Sequence, residues 1–211
     1  MQPWSHWKDT SWWKEMVHSS GQRPFIRWTP APSSSWPFMA ACFKTAHPKS
    51  PLVVITPGLK LQESMHQDLT TWLQWFSNQE NLSSFSQPYF YPAWEHLPHE
   101  AKLPHADVIS ERLETLMALL RWQSDPENQP APVIVTTIQA LMQRTFEPDD
   151  LQGRTRTLKV GDIVDPLDLV EWLEDQAYEP EAKVTQKGEI ALRGGILDVF
   201  PLSSPWPVRL E

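Results

Sequence analysis

Three short apolar runs that alternate with helical patterns constrain the fold of this chain most strongly. They cover Leu52–Thr56, Gln87–Tyr91 and Val133–Thr137. Short apolar runs that end at Pro, Gly or polar residues are typical of strands buried in a parallel sheet. A helical pattern follows each of the three runs. This order of strands and helices predicts an α/β fold with a parallel sheet and right-handed crossover connections.

The helices between these strands are predicted from the spacing of their apolar residues. In both longer helices, apolar side chains recur every three or four residues and therefore share one face. Asp107 is expected to cap the second helix, since its carboxylate can accept hydrogen bonds from the first turn. A short third helix is expected over 138–144. The apolar positions are Leu61, Met65, Leu69, Leu73 and Phe76 in the first helix, and Val108, Ile109, Leu113, Leu116, Met117 and Leu120 in the second.

The pattern changes near Gly153, and residues 154–211 predict a small α+β domain. Because the last predicted strand reaches the end of the chain, we expect this domain to be truncated at its C-terminus and the chain to be a piece of a longer protein. The predicted elements are an exposed strand over 155–160, a helix from Asp165-Pro166 to about Ala177, a hairpin of 182–186 and 189–192, and strands over 196–200 and 208–210.

Residues 1–35 predict an irregular arm that is rich in tryptophan. Trp4, Trp7, Trp12 and Trp13 lie in it, and the whole chain contains 12 tryptophans. We interpret these rings as packing on the body of the protein, and a segment at a membrane interface remains the alternative. The rest of the chain divides into an α/β domain over 36–153 and the α+β domain over 154–211.

The charge balance and the cysteine count narrow the class of protein. Lys and Arg total 18 against 26 Asp and Glu, which gives a net charge of −8 and lowers the expectation of binding to a phosphate backbone. The single cysteine, Cys42, excludes an internal disulfide and fits a reducing compartment. No apolar run approaches the ~20 residues of a membrane helix. We therefore expect a cytoplasmic protein without a membrane partner.

A glycine-rich phosphate loop is missing from the stretch before the first apolar run. Residues 33–45 contain no glycine, although Lys44-Thr45 superficially resembles the end of a phosphate-binding loop. Phosphates need several backbone N–H groups at close range, which only glycine permits. We therefore expect no nucleotide, no other cofactor, no small-molecule substrate and no catalytic residue.

The histidines of the loop after the second strand do not predict a metal site. Their spacing matches none of the usual zinc patterns, and no cysteine is near. Cys42 lies between apolar neighbours and is interpreted as a buried structural thiol. The residues considered for a metal were His96, His99 and His105, with Glu95, Glu100 and Asp107.

Two arginines in the last domain lie where a strand would present them to a partner. Arg193 ends a predicted strand before Gly194-Gly195, and Arg209 shares a strand face with Glu211. An exposed arginine on a rigid strand can anchor an interface. From spacing alone, surface salt bridges of little consequence are the favoured interpretation.

Three segments resemble a known family, in the order in which that family has them. They are YPAWEHLP at Tyr91–Pro98, DVISERLETL at Asp107–Leu116 and GEIALRGGILDVFP at Gly188–Pro201. They resemble the N-terminal module of the bacterial transcription-repair coupling factors (Mfd), which is itself similar to the excision-repair helicase subunit UvrB. The resemblance runs from about Leu52 to Glu211.

The resemblance implies a degenerate helicase-like domain without a phosphate loop, followed by a small domain that binds the repair protein UvrA. Arg193, Arg209 and Glu211 match the family's UvrA-contacting positions. Stalled RNA polymerase and DNA would be engaged by other domains of the parent protein, which also carry its ATP-driven motor. Two alternatives remain open: a UvrB-like ATP-dependent helicase subunit, and a DNA-binding module.

Overall fold

The computed structural model describes residues 7–20, 32–80, 87–95 and 104–211. These ranges contain two sheets and the helices around them. Single turns of 3₁₀ helix cover Trp7–Asp9 and Ser33–Ser35. The helices are α1 (Ser11–Ser20), α2 (Trp36–Ala46), α3 (Leu59–Glu80), α4 (Ala106–Ser124), α5 (Ile138–Leu141), α6 (Pro148–Gly153) and α7 (Pro166–Asp175), and the strands are β1 (Leu52–Thr56), β2 (Tyr89–Tyr91), β3 (Val133–Thr137), β4 (Glu179–Pro180), β5 (Glu189–Arg193), β6 (Ile196–Val199) and β7 (Val208–Leu210).

The first sheet is parallel, as predicted, with the strand order β1-β3-β2. Every residue of the central strand β3 is buried. The prediction of a buried strand is wrong for β1, because Val53 and Ile55 are 47% and 53% exposed. β1 lies at the edge of the sheet, and α4 packs against β2 and β3 on the face that these two side chains share with Ile134.

The main core lies on the opposite face of this sheet, under α2 and α3. Leu69 and Phe76 are completely buried there against Val135. The predicted α3 periodicity is confirmed at Met65, Leu69, Leu73 and Phe76, while Leu61 is half-buried. An aromatic cluster completes the layer: Phe38 meets Trp72 edge to face with ring centroids 4.9 Å apart, and Trp72 meets Trp75 at 6.1 Å.

The prediction of an irregular N-terminal arm is wrong over α1. Met16 is 1% exposed, and Trp13 and Val17 pack against the same core cluster as Leu69. Side chains at positions i, i+3 and i+4 share one face of a helix, so this stretch can bury an apolar stripe. The predicted packing of tryptophan rings is confirmed for Trp13, whereas Trp4 lies outside the described residues.

The most buried side chains of helix α4 are mainly polar, although the sequence predicts that its apolar residues form the buried face. Its cap is His105, whose Nδ1 accepts from the backbone N–H of Asp107 at 3.3 Å, so the prediction that Asp107 caps the helix is wrong. The six predicted apolar positions are only partly buried. The guanidinium of Arg112 lies 4.2 Å from the ring centroids of both Tyr91 and Trp94. The buried residues of α4 are Ser110, Arg112, Thr115 and Ala118.

The second sheet has the order β4-β5-β6-β7, with β4 parallel to β5 and the other pairs antiparallel. Its inner face packs on α7, where Leu169 and Leu173 contact Ile190 and Leu197. Asp165 caps α7 as predicted and accepts from the N–H of Leu167 at 2.8 Å. The α/β class, with a parallel sheet followed by a small α+β unit, is therefore confirmed.

Two predicted strands of this region are absent from the structure of 104–211. The 182–186 segment turns instead of extending, because the Glu189 carboxylate accepts from the N–H groups of Thr185 and Gln186 at 2.6 and 2.8 Å. These bonds hold the pKa of Glu189 below its usual value. The 155–160 segment has no strand beside it, and the Asp162 carboxylate binds the N–H of Lys159 in a tight turn. None of the helices in the described ranges combines the length and apolar character of a membrane span.

Candidate partner-binding surface

The outer face of the second sheet carries the predicted site residues. The strand register aligns Ala191, Asp198 and Arg209 across β5, β6 and β7, and pairs Arg193 with Ile196. Alternate residues of a strand point to the same face. Arg193 and Arg209 therefore lie on the face opposite to Leu197 and the core under α7.

Gly194 and Gly195 hold Arg193 at the end of a two-residue hairpin. Their φ angles are 56° and 92°, both in the left-handed region. A two-residue hairpin with positive φ at both positions is the type I′ turn, which matches the twist of the flanking strands and favours glycine. The turn thereby fixes the register of β5 and β6 and the position of the Arg193 backbone.

Arg209 forms a two-point salt bridge with Asp198 on the neighbouring strand. Its Nε and a terminal guanidinium nitrogen donate to the two carboxylate oxygens at 2.7 and 2.9 Å. The hydrogen bond from Arg209 holds the pKa of Asp198 below its usual range, and the same contact raises that of Arg209. Arg209 therefore forms a surface salt bridge, as the other interpretation of its position predicted, and its side chain is 60% exposed.

Arg193 and Glu211 are both exposed. Neither side chain makes a hydrogen bond or ion pair with any residue that the structure describes. Both charges nevertheless act on the Asp198–Arg209 ion pair. Arg193 contributes to the lowered pKa of Asp198, and Glu211 contributes to the raised pKa of Arg209. The three predicted residues thus form one charged surface, and we call Arg193, Asp198, Arg209 and Glu211 the outer-face cluster.

Asp198 is the member of the outer-face cluster that the sequence did not reveal. Its pairing with Arg209 depends on the register between β6 and β7. Residues 200–207, which join these strands, contain Pro201, Pro205 and Pro207 and no short turn motif that would fix this register. The short Gly-Gly turn could have placed Asp198 beside β5, although not beside Arg209.

The carboxyl ends of the first sheet, where parallel sheets usually bind ligands, are occupied by protein side chains. The amide nitrogen of Gln62, which is fully buried, donates to the carbonyls of Tyr91 and Val135 at 3.0 Å each. The hydroxyl of Thr136 donates to the Tyr91 carbonyl at 2.9 Å. These bonds tie the ends of β2 and β3 together through α3.

Residues 33–45, the glycine-free stretch before β1, form a 3₁₀ turn and open α2. A phosphate loop follows a strand and opens a helix. Residues 21–31, which precede this stretch, lie outside the described residues, so the predicted absence of a phosphate loop stays a prediction. The likeness to a degenerate P-loop fold remains a prediction.

The ammonium of Lys44 lies inside the protein and not at a ligand site. Lys44 is 3% exposed, and its Nζ donates to the carbonyls of Pro48, Ser50 and Ala131 at 2.8–2.9 Å. Burial lowers its pKa to about 8. The superficial phosphate-loop lysine is therefore a structural cross-link between the end of α2 and the segment that enters β3.

Cys42 and the histidines after β2 are the residues that a reactive thiol or a metal site would use. Cys42 is fully buried, and burial raises the pKa of its thiol to about 12, which fits the predicted structural role. His105 caps α4, while His96, His99 and Glu100 lie outside the described residues. Among the residues that are described, no group of three or more His, Cys, Asp or Glu is arranged to hold a metal ion.

Comparison with known proteins gives two kinds of match. The UvrB interaction domain family matches residues 157–211, which include the whole outer-face cluster. Transcription-repair-coupling factors match more of the chain. The protein of Haemophilus influenzae is 36% identical over 123 residues, covering 57% of this chain and 10% of its own length. That of Escherichia coli is 30% identical over 161 residues (76% and 12%), and that of Bacillus subtilis 29% over 162 residues (76% and 12%).

The chain spans about a tenth of the length of these curated relatives. The region matched by the family includes the GEIALRGGILDVFP motif, which carries Arg193, and strand β7, which carries Arg209. The resemblance predicted from the sequence motifs is therefore confirmed: residues 157–211 match the UvrB interaction domain, and most of the chain is similar to a segment of the transcription-repair-coupling factors.

Proposed function

We propose that this chain is a non-catalytic adaptor module of transcription-coupled DNA repair, and that the outer-face cluster binds UvrA. The observation that carries the proposal is the exposed pair Arg193 and Arg209 on one face of a sheet that matches the UvrB interaction domain. In the intact protein, the module recruits UvrA to stalled RNA polymerase, while other regions engage the polymerase and DNA.

The geometry of the cluster suits recognition of acidic groups on the partner. Arg193 offers its full set of N–H donors, and guanidinium forks bind carboxylates in a bidentate manner with geometric specificity. Arg209 is already oriented by Asp198, so binding does not have to order its side chain first. Glu211 gives the partner's cations a place to pair beside Arg209, and so fixes the orientation of docking.

The first sheet acts as the scaffold in this proposal. Its strand ends are closed by the buried amide of Gln62, and residues 33–45, which open α2, contain no glycine. Both features support a domain that no longer binds nucleotide. They favour the adaptor over the alternative of a UvrB-like helicase subunit.

The proposal is tested by calorimetric titration of UvrA into the 211-residue chain. Reversing the charge in Arg193→Glu removes a donor and places a carboxylate against acidic partner groups. We expect the affinity to fall by on the order of tenfold or more, which corresponds to about 1.4 kcal/mol per factor of ten.

Lys60→Glu is the matched control, because Lys60 is exposed in the first turn of α3 and undergoes the same charge change. It should bind UvrA like the unchanged protein. Equal affinity of Arg193→Glu and Lys60→Glu would remove Arg193 from the interface, and absence of binding by the unchanged chain would refute the proposed function.

A further inference from the structure

The salt bridge of Arg209 uses one particular edge of its guanidinium. Nε donates to Oδ1 of Asp198 at 2.7 Å, and Nη2 donates to Oδ2 at 2.9 Å. These two nitrogens form the side edge of the planar group, next to the aliphatic stem. Since every guanidinium nitrogen carries hydrogen and their arrangement is rigid, both hydrogens of Nη1 and one hydrogen of Nη2 remain unused.

The unused hydrogens form a second fork at the outer end of the side chain. This outer fork, between Nη1 and Nη2, is an edge through which arginine can bind a carboxylate in a bidentate manner. Nη1 makes no hydrogen bond with any residue of the described ranges, and the Arg209 side chain is 60% exposed. Arg209 can therefore bind Asp198 and a carboxylate of a partner at the same time.

Asp198 is held more firmly than the arginine that it binds. Its strand, β6, is hydrogen-bonded on both sides, and the register places it between Ala191 on β5 and Arg209 on β7. Ala191 offers no polar side chain to compete for the carboxylate. The Asp198 side chain is 28% exposed, compared with 60% for Arg209. The short carboxylate therefore sets the orientation of the long side chain, and not the reverse.

Arg193 lies on the same face of the sheet without such a support. Because its side chain has no polar partner among the described residues, it samples several rotamers in the free protein. A long side chain loses this freedom when an interface immobilises it, which weakens binding. Arg193 incurs this loss on binding, whereas Arg209 has already incurred it on folding. The two exposed arginines are therefore not equivalent.

We propose that Asp198 is a positioning residue of the UvrA-binding surface, which holds Arg209 with its outer fork directed at a carboxylate of the partner. The inference rests on the proposed function, since it names what sets the geometry of one of its two arginines. The charge of Asp198 also repels an acidic partner. This repulsion is the weaker effect, because the guanidinium lies between the two carboxylates and salt screens exposed charges.

A double-mutant cycle, measured by calorimetric titration of UvrA into the 211-residue chain, tests this role. Asp198→Asn keeps the size of the side chain and removes its charge, and we expect UvrA binding to weaken about fivefold as Arg209 becomes mobile. In a chain that already carries Arg209→Ala, the same substitution should change the affinity by less than about twofold, because no guanidinium is left to position.

Glu179→Gln is the matched control for the loss of a negative charge. Glu179 is exposed on β4, at the opposite edge of the same sheet from β7. This variant should bind UvrA like the unchanged chain. A merely structural role of Asp198 would lower the melting temperature of Asp198→Asn, yet it would not make the loss of affinity depend on Arg209.

Nuclear magnetic relaxation of the arginine Nε–H groups gives a readout that does not involve UvrA. In the free chain, we expect the Nε–H of Arg209 to be ordered and that of Arg193 to be mobile. Asp198→Asn should make Arg209 as mobile as Arg193. Equal mobility of the two arginines in the unchanged chain would contradict the positioning role.

The binding outcomes separate this inference from the proposed function. Equal or tighter UvrA binding by Asp198→Asn would overturn the inference, because Asp198 would then be neutral or would compete with the partner. An equal loss with and without Arg209 would overturn it as well. Both results leave the proposed function in place if Arg193→Glu weakens binding. Failure of the unchanged chain to bind UvrA would refute the proposed function, and this role with it.

Discussion

At the scale of single residues, charged side chains are part of the core of this protein. Lys44 and Arg112 are 3% and 1% exposed, and backbone carbonyls accept hydrogen bonds from both. Sequence analysis could not foresee either role. The acceptors of Lys44 include Ala131, 87 positions away, and Arg112 lies between the Tyr91 and Trp94 rings only after α4 has packed on β2. The exposed strand positions of Arg193 and Arg209, by contrast, could be predicted from the sequence, while their role at a partner surface rests on the family resemblance and stays a prediction.

Replacing Lys44 with methionine should destabilise the protein by about 2–3 kcal/mol, because three backbone carbonyls, of which that of Ala131 is buried, lose a charged donor. Methionine approximates the length of the lysine stem, so the effect isolates the ammonium. Urea unfolding measures the change. Lys49→Met, which removes only an exposed ion pair with Glu127, should change stability by less than about 1 kcal/mol. Equal effects of the two substitutions would contradict the structural role of Lys44.

At the scale of secondary-structure elements, the sequence predicts best where apolar periodicity is long. Helix α3 and strand β3 follow their patterns closely, whereas the predicted strand over 155–160 fails. An alternating pattern extends into a strand only where another strand offers hydrogen bonds, and no sequence pattern states which partner is present. Local side-chain bonds, such as those of Glu189 to Thr185 and Gln186, also override strand propensity.

The end of α7 provides a prediction at this scale. The N–H of Tyr178 bonds the carbonyl of Leu173 and that of Ala177 bonds Glu174, which is the Schellman arrangement at a helix C-terminus. Ala177 adopts φ 64° there, a conformation that costs an L-residue about 1 kcal/mol and glycine almost nothing. Glycine also gains entropy in the unfolded chain, which offsets part of this relief, so Ala177→Gly should stabilise the protein by less than about 1 kcal/mol.

Thermal unfolding followed by circular dichroism measures this gain. Ala182→Gly is the matched control, since Ala182 is exposed and does not have a positive φ. It should leave stability unchanged or lower it slightly. A lower melting temperature for Ala177→Gly would show that the left-handed backbone at residue 177 is not a source of strain.

At the scale of the whole molecule, a partly buried polar contact joins α4 to the loop that precedes β5. The Nζ of Lys187, just before β5, donates to the hydroxyl of Ser110 on α4 at 2.6 Å and lies 3.8 Å from a carboxylate oxygen of Asp107. Ser110 is fully buried, and the Lys187 side chain is 19% exposed. The α/β class and the order of the two sheets followed from the sequence. This junction did not, because it joins residues 77 positions apart.

Lys187→Met should loosen the junction and cost about 1.5–3 kcal/mol, the usual value of a hydrogen bond from a charged donor. Faster amide hydrogen exchange is expected in the first turns of α4 and in β5, with little change in β3. Lys183→Met, at an exposed lysine of the same loop, is the control and should leave exchange unchanged. Uniform acceleration in every strand would instead indicate global destabilisation without a specific link.

The aromatic cluster under the first sheet should give that half of the molecule its own circular dichroism signal. The rings of Trp72 and Trp75 are nearly perpendicular, with centroids 6.1 Å apart. At this distance we expect their electronic transitions to couple and to produce a paired circular dichroism band of opposite signs. That band disappears only when α3 loses its packing. The second sheet region carries Trp172 and Trp206, which lie far apart in sequence and of which Trp206 is 74% exposed. The coupled band therefore reports on the scaffold alone, whereas indole emission sums tryptophans of both halves of the chain. Substituting phenylalanine for Trp172 and Trp206 identifies the part of the emission change that belongs to the region carrying Arg193.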